Sequence, residues 1–327
     1  MKLRLIITLI AVSIASQSHA EFVENTDITS YVNSLIEKNK TVTIPDGNYL
    51  VSATKSIQLK DNSTLKLSPN TVLNVIPTSS GSYRVFKIKN VKNVNISGGA
   101  LIGDKYTHLG KTGEWGMGIE IRDSQNVSIS NMSIDKMWGD AIYIGSDGKN
   151  SNNNIKLNNV RMNDNRRQGI SIISVDNLKG NNIYVSNTVG SDPASGVDIE
   201  PNNKNNVLKN ISFQNLYTTN NAGTGFIVSL KSYSNSDNPI SISLTNHVDK
   251  GSKFGFVVRG NPNKNNGTIR IKDTNYQGNK HSNYCFNEWN NKVNVYLSNI
   301  NHDKESKFSK HSWCSNYRNI SNIKMAE

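Results

Sequence analysis

Two cysteines, seven prolines and a hydrophobic content of only 35% in 327 residues leave little material for a wide core. The scarcity of cysteine excludes a disulfide-stapled miniature scaffold, and the absence of paired C-x-x-C spacings excludes a structural zinc site. Past the first 20 residues no stretch is apolar for long enough to cross a bilayer, so no membrane span is expected. Acidic residues are in deficit, 25 against 37 Lys and Arg, for a formal net charge of +12. The lysines are scattered, with no run of five or six, so nucleic acid is not an expected partner. An acidic polysaccharide, an anionic membrane surface or a plain solvated basic face remain. No Walker, GxGxxG, HExxH or nucleophile-elbow block occurs.

Residues 1–20 have the layout of a secretory signal peptide. Lys2 and Arg4 form the basic end, Leu5 to Ile14 a short apolar stretch, and Ser18-His19-Ala20 a small-residue cleavage site. Losing Lys2 and Arg4 from +12 leaves +10 on a mature chain starting near Glu21, destined for the periplasm or the medium. In such an oxidising place Cys285 and Cys314, 29 residues apart, are expected to form a disulfide that ties down the chain end.

What the chain has in abundance is asparagine, about one residue in six, arranged in a repeat. From about Asn90 two strand patterns alternate. One is Asn-rich, as in NVNISGG, NVSISNMSI and NIKLNNVRM; the other is small-residue-led, as in GIEIR from Gly118, AIYIG from Ala141, GISII from Gly169, GVDIE from Gly196, GFIVS from Gly225 and GFVVR from Gly255. Their starts are about 23 to 30 residues apart, helical periodicity is missing, and apolar and polar residues alternate within each strand. A unit this small cannot bury its apolar edge alone, whereas stacking successive coils about 4.8 Å apart joins the edges into one core. The expectation is an all-β right-handed parallel β-helix in which stacked Asn side chains form ladders. N-x-S/T triplets such as Asn131-Met132-Ser133 fall on these ladders and read as structural. A propeller or sandwich would need two-residue Asn-Gly hairpin turns, which are scarce. Residues 27–39 read as a short capping helix with its N-cap at Thr26 or Asp27. The β-helix is expected over residues 21–277. Residues 278–327, with both cysteines, Trp289 and Trp313, are expected to leave the repeat and plug the last coil.

With its IPDGNYLV stretch and these coils, the chain resembles the pectate-lyase-like superfamily of right-handed β-helices, which includes pectate lyases, polygalacturonases, alginate C5-epimerases and phage tailspike depolymerases. More narrowly, LIGDKYTHLGKTGEWGMGIEI, MWGDAIYIG, RRQGISII and SGVDIEPN are similar to blocks of bacterial and tailspike-like β-helix proteins presumed to act on polysaccharides. The resemblance covers about residues 27–202 and implies carbohydrate activity. The adjacent aspartates and Gly-His-Gly block of polygalacturonases are absent, as is the Tyr-Gly-x-Asp-Pro-His block of the epimerases, so no catalytic set carries over residue by residue.

Alternation turns Ile119/Ile121, Ile142/Ile144, Ile170/Ile172, Val197/Ile199 and Phe226/Val228 inward. It sets Glu120, Arg122, Tyr143, Ser171, Asp198, Glu200, Ser229 and Arg259 on one solvent-facing outer wall. Asp198 and Glu200 stand two apart on one strand, with backbones about 6.6 Å apart, within the range of an inverting glycosidase pair. Arg166 and Arg167, one coil earlier, are positioned to supply a compensating cation; the alternative is a network that only braces the coil. Glu114 and Trp115 lie in a Gly-flanked loop where an indole ring suits sugar stacking, or covers the core edge. Asp140 reads as a third carboxylate or as a turn residue. His108, in the loop before Glu114, reads as a surface histidine or a base. No cofactor is indicated, although Ca²⁺ held by Asp and Glu oxygens stays open.

These features point to an exported, monomeric enzyme cleaving an acidic polysaccharide, with hydrolysis ahead of uronate lysis or C5-epimerisation. A non-catalytic glycan-binding or adhesion β-helix is the alternative.

Overall fold

The computed structural model describes residues 22–148, 150–233, 236–260, 265–287, 292–303, 313–314 and 322–326. The proposed signal peptide and Trp289 lie outside them. Strand makes up 57% of the structure, against a single helix among the described residues, which places the chain in the all-β class. Among the described residues all strand pairs are parallel, and they form one sheet of fourteen strands and one of nine. Each coil contributes a strand to both, so the chain winds as a solenoid.

The register reproduces the sequence repeat. In the nine-strand sheet Phe86, Ile119, Ile142, Ile170, Val197, Phe226, Phe256 and Tyr284 pair in turn, and all eight are buried. Val94, Val127, Ile155, Leu178, Ile211, Ile242, Ile269 and Val295 line the core from the other sheet. Burying each such side chain contributes about 1.5–3 kcal/mol, so a narrow interior suffices when it runs the length of the molecule.

Asparagine serves the bends. Asn93, Asn126, Asn154 and Asn177 all adopt positive φ (53 to 66°), a left-handed conformation that Asn tolerates better than other residues with a side chain. Each donates its side-chain amide to the Asn one coil before: Asn126 to Asn93 at 2.9 Å, Asn154 to Asn126 at 2.7 Å and Asn177 to Asn154 at 3.3 Å. The same residue type thus makes the turn and links the coils.

The capping helix spans Thr29–Lys38 and buries Thr29, Val32 and Ile36. Its N-cap position is Ile28, and Asp27 Oδ1 accepts the Thr29 amide at 2.9 Å, so the capping carboxylate acts from one residue further out. At the other end the coils run past residue 277, where the sequence pattern was expected to leave the repeat. Phe254 pairs with Ser282, Thr268 with Asn294 and Val295 with Ile323. The expectation of a plug missed this because the polar residues of these coils dilute the apolar alternation. Cys285 and Cys314 form the expected disulfide.

Candidate active site on the outer wall

Strict alternation breaks once per coil on the nine-strand sheet. Gly169 and Ile170 both sit on the interior side, where a Cβ added to Gly169 would collide with buried Val185. Gly196 before Val197 repeats the arrangement, its missing Cβ pointing at Thr218. Two consecutive inward positions return the preceding residue to the outside. The outer wall therefore carries an extra file that includes Asp140, Gln168 and Ser195. Beside it run a middle file of Lys87, Glu120, Tyr143, Ser171, Asp198, Ile227, Val257 and Cys285, and a third with Lys89, Arg122, Glu200, Ser229 and Arg259.

The wall is not the solvent-facing row expected from alternation. Glu120 and Asp198 are only 2% and 3% exposed, and Tyr143, Ser171 and Ser229 are buried as well. Coils about 4.8 Å apart leave little room between large side chains, which cover one another. The loop over residues 103–114 adds a ridge along one side.

Arg167 is the hub of the expected carboxylates. Its Nη1 donates to Asp140 Oδ1 at 3.2 Å and Oδ2 at 3.1 Å, and its Nε lies 3.9 Å from Glu114 Oε1. Asp140 is buried and also accepts Ser171 Oγ at 2.8 Å, so it is a member of the network rather than a simple turn residue. Asp198, one coil beyond Ser171, accepts Gln168 Nε2 at 2.7 Å. Glu200, half-buried, accepts Ser229 Oγ at 3.3 Å. Glu114 accepts Ser191 Oγ at 3.1 Å.

Three carboxyl groups around one guanidinium, Asp140, Glu114 and Asp198, with Glu200 beside the last, cannot all be charged cheaply. The cost falls on the most buried. Desolvation, followed by the charge of Glu200, pushes the Asp198 carboxyl well above its ordinary value, with Arg167 opposing and Asp140 adding to the rise. Burial also raises Asp140, despite Arg167 and Ser171. The wall thus holds a carboxyl group disposed to keep its proton beside others on the same face.

The remaining candidates separate into different roles. Arg166 does not reach the carboxylates: it lies 3.9 Å over the Trp138 ring and donates to the carbonyls of Gly113 and Trp138, because its aliphatic stem turns toward the ridge. His108 is no surface histidine. Its side chain is buried, stacked on Trp138 with ring centroids 3.8 Å apart, and its Nδ1 lies 2.7 Å from Asp104, which Tyr83 also bonds. Trp115, 49% exposed, does not lie in the loop with Glu114 but opens the wall strand Trp115–Arg122 directly after it. Glu120 is held between Arg84 Nε at 2.8 Å and Arg122 Nε at 2.7 Å, and Arg122 lies over the Tyr143 ring. Arg259 stands two coils from Glu200, against Trp313. Sequence reasoning left out Gln168, Arg84 and Lys87. The Gly or Ala opening each wall strand was the signal for the first, since it marks the doubled inward step. Among the described residues no cluster of three or more His, Cys, Asp or Glu is arranged to hold a metal ion.

No protein-family model matches the chain. Two uncharacterized proteins of Bacillus subtilis (strain 168) are related. YclG is 26% identical over 72% of this chain and 46% of its own length. The SPbeta prophage-derived YorA is 34% identical over 33% of this chain and 21% of its own length. The chain thus spans less than half the length of either curated relative. Similar solved structures include a tailspike of Acinetobacter baumannii bacteriophage Fri1, a capsular polysaccharide depolymerase (TM-score 0.61, 14% identity, 85% of this chain and 57% of that one). The A-module of the mannuronan C-5 epimerase AlgE6 of Azotobacter vinelandii (TM-score 0.60, 13% identity, 92% and 94%) and the Streptococcus pneumoniae adhesin PfbA (TM-score 0.58, 14% identity, 92% and 96%) are similar too. A depolymerase, an epimerase and an adhesin share one architecture, so the architecture does not choose among reactions. What they have in common with this chain is the fold, a right-handed parallel β-helix.

Proposed function

We propose that the chain is an exported enzyme that hydrolyses an acidic polysaccharide, with Asp198 as general acid and Glu200 as the group that activates water. The observation that carries this reading is Asp198: buried, bonded by Gln168, raised by desolvation, and two residues from a second carboxylate that directly follows its strand. A carboxyl held above its ordinary value keeps its proton to higher pH, as donation to a glycosidic leaving group requires. In the step, Asp198 gives its proton to the glycosidic oxygen as the bond from that oxygen to the anomeric carbon breaks. Water adds to the anomeric carbon from the opposite face and loses a proton to Glu200. With Asp198 in the strand Ser195–Ile199 and Glu200 directly after it, an extended backbone sets the two residues about 6.6 Å apart, a spacing that allows a water between their carboxyl groups and so favours inversion. Arg167 and Asp140 set the field around the acid, and the exposed ring of Trp115 offers a stacking face for a sugar. The disulfide and the leader-like first 20 residues fit export. The depolymerase and epimerase likenesses agree with a glycan along the wall.

The test is incubation of the mature protein with capsular and exopolysaccharides, following both reducing ends and ultraviolet absorbance of the products. New reducing ends without a new double bond support hydrolysis. An unsaturated uronate product would transfer the chemistry to β-elimination, and glycan binding without turnover would make the wall an adhesion surface.

A further inference from the structure

The outer wall does not end at the carboxylate cluster. Four coil steps before Asp198 along the middle file stands Lys87, about 19 Å away at the coil spacing. It lines a cavity of about 480 Å³ together with Arg84, Lys89, Arg122 and the hydroxyls of Thr54 and Ser82. Glu120 and Asp147 are the acidic groups of that lining, two against four cations. Both are already engaged. Buried Glu120 Oε1 accepts Arg84 Nε and Arg122 Nε, and Asp147 pairs with Lys89 at 2.6 Å and Arg122 at 3.1 Å. Among the described residues Lys87 pairs with no carboxylate within ion-pair distance.

We propose that this cavity is an anion subsite that takes the carboxylate of a uronic acid residue, set about four coils from the bond-breaking pair. Glu120 fixes the two guanidinium groups in place by their Nε atoms, and the cations outnumber the acids by two. Arg84 is also held by Ser82 Oγ and Arg122 by Asp147, and cations already fixed in place lower the ordering cost of binding an anion. The flanking hydroxyls match a polyol rather than an apolar ligand. Because the cavity shares its files with Asp198 and Glu200, one extended glycan along the wall occupies both. The inference rests on the reading of that wall as a glycan-binding surface, but not on turnover.

The test uses calorimetry on Asp198→Asn, so that cleavage is not needed, with tetragalacturonate and its fully methyl-esterified form as probes. The acid form is expected to bind roughly tenfold tighter than the ester, the worth of one hydrogen bond to a charged group. In the same background Lys87→Gln/Lys89→Gln should abolish that preference. Lys156→Gln/Lys179→Gln, an equal change of charge on the exposed face of the other sheet, should keep it. Equal binding of acid and ester, binding of neither, or the same loss from both lysine pairs overturns the proposal. Hydrolysis by the parent enzyme is scored separately: carboxylate-selective binding without hydrolysis leaves the subsite standing and removes only the proposed reaction.

Discussion

Gln168 holds Asp198 from one coil away: its Nε2 donates to Asp198 Oδ2 at 2.7 Å, while its Oε1 accepts the Ser195 amide at 2.9 Å. Asp198 Oδ1 is buried and takes no hydrogen bond among the described residues, so the bonded oxygen orients the group and the other is left for a proton. The Gln168 bond favours the ionised form and opposes the upward pressure of burial. Gln168→Leu should therefore raise the Asp198 carboxyl further, and the high-pH limb of kcat/KM should move to higher pH. The same change strands the Ser195 amide and should cost about 1–3 kcal/mol of stability. A pH–rate profile checks the first effect and urea unfolding the second; a lost stability with an unmoved limb would reduce Gln168 to a brace.

Asp198→Asn and Glu200→Gln should each lower kcat by roughly 10²- to 10⁴-fold, the usual contribution of a general acid or base. Stability should behave in the opposite way for Asp198→Asn. At neutral pH the native state is penalised by a buried carboxyl that resists ionisation, and the amide removes that penalty while its oxygen still accepts from Gln168. Thermal unfolding of Asp198→Asn at pH 7 should be equal to or above that of the parent. A variant that keeps full turnover would show that the acid lies elsewhere on the wall.

Trp115 is half exposed at the start of its wall strand, so its removal should affect ligand more than fold. Trp115→Ala should weaken glycan binding by roughly three- to tenfold, matching the 0.5–1.5 kcal/mol typical of ring stacking, with little change in unfolding. Calorimetry with a cleavable glycan on the Asp198→Asn background separates this from catalysis. An unchanged affinity would leave the ring without a part in recognition.

Much of this was legible in the spacing. Ile119, Ile142, Ile170 and Val197 stack as the repeat requires, and the neighbourhood of Asp198 and Arg167 follows from that register. What spacing alone could not give was the doubled inward step at Gly169 and Gly196, which brings Gln168 outward beside Asp198. Nor does alternation report burial: Glu120 is on the outer face by pattern, yet two arginines enclose it. His108 shows the same limit, since a loop position in sequence says nothing of a ring stacked under Trp138.

The interior holds a polar exception whose pH dependence can be worked out. His247 follows Leu216 in one core column and Asp249 follows Thr218 in the next, both fully buried. Asp249 accepts from Thr218 and Ser252 at 2.5 and 2.7 Å, and His247 bonds Thr218 and Tyr276 at 2.8 Å each. Burial raises Asp249 from 3.8 to about 6 and lowers His247 from 6.5 to about 3. Between pH 3.8 and about 6 native Asp249 keeps a proton that the unfolded chain releases, so its contribution to stability falls as pH rises. Between about pH 3 and 6.5 the unfolded chain protonates a histidine that the native core keeps neutral, so that contribution climbs with pH. Over the shared window of about pH 4 to 6 the two slopes oppose each other. Asp249→Asn leaves the histidine slope without its counterweight, and the stability of the variant relative to the parent should rise by about 2 kcal/mol from pH 4 to pH 7, the larger part of what a shift from 3.8 to about 6 is worth. His247→Gln should reverse the sign. Urea unfolding of both variants and the parent at half-unit steps of pH measures the difference, and parallel curves for Asp249→Asn and parent would mean that Asp249 does not titrate between its unfolded and folded values.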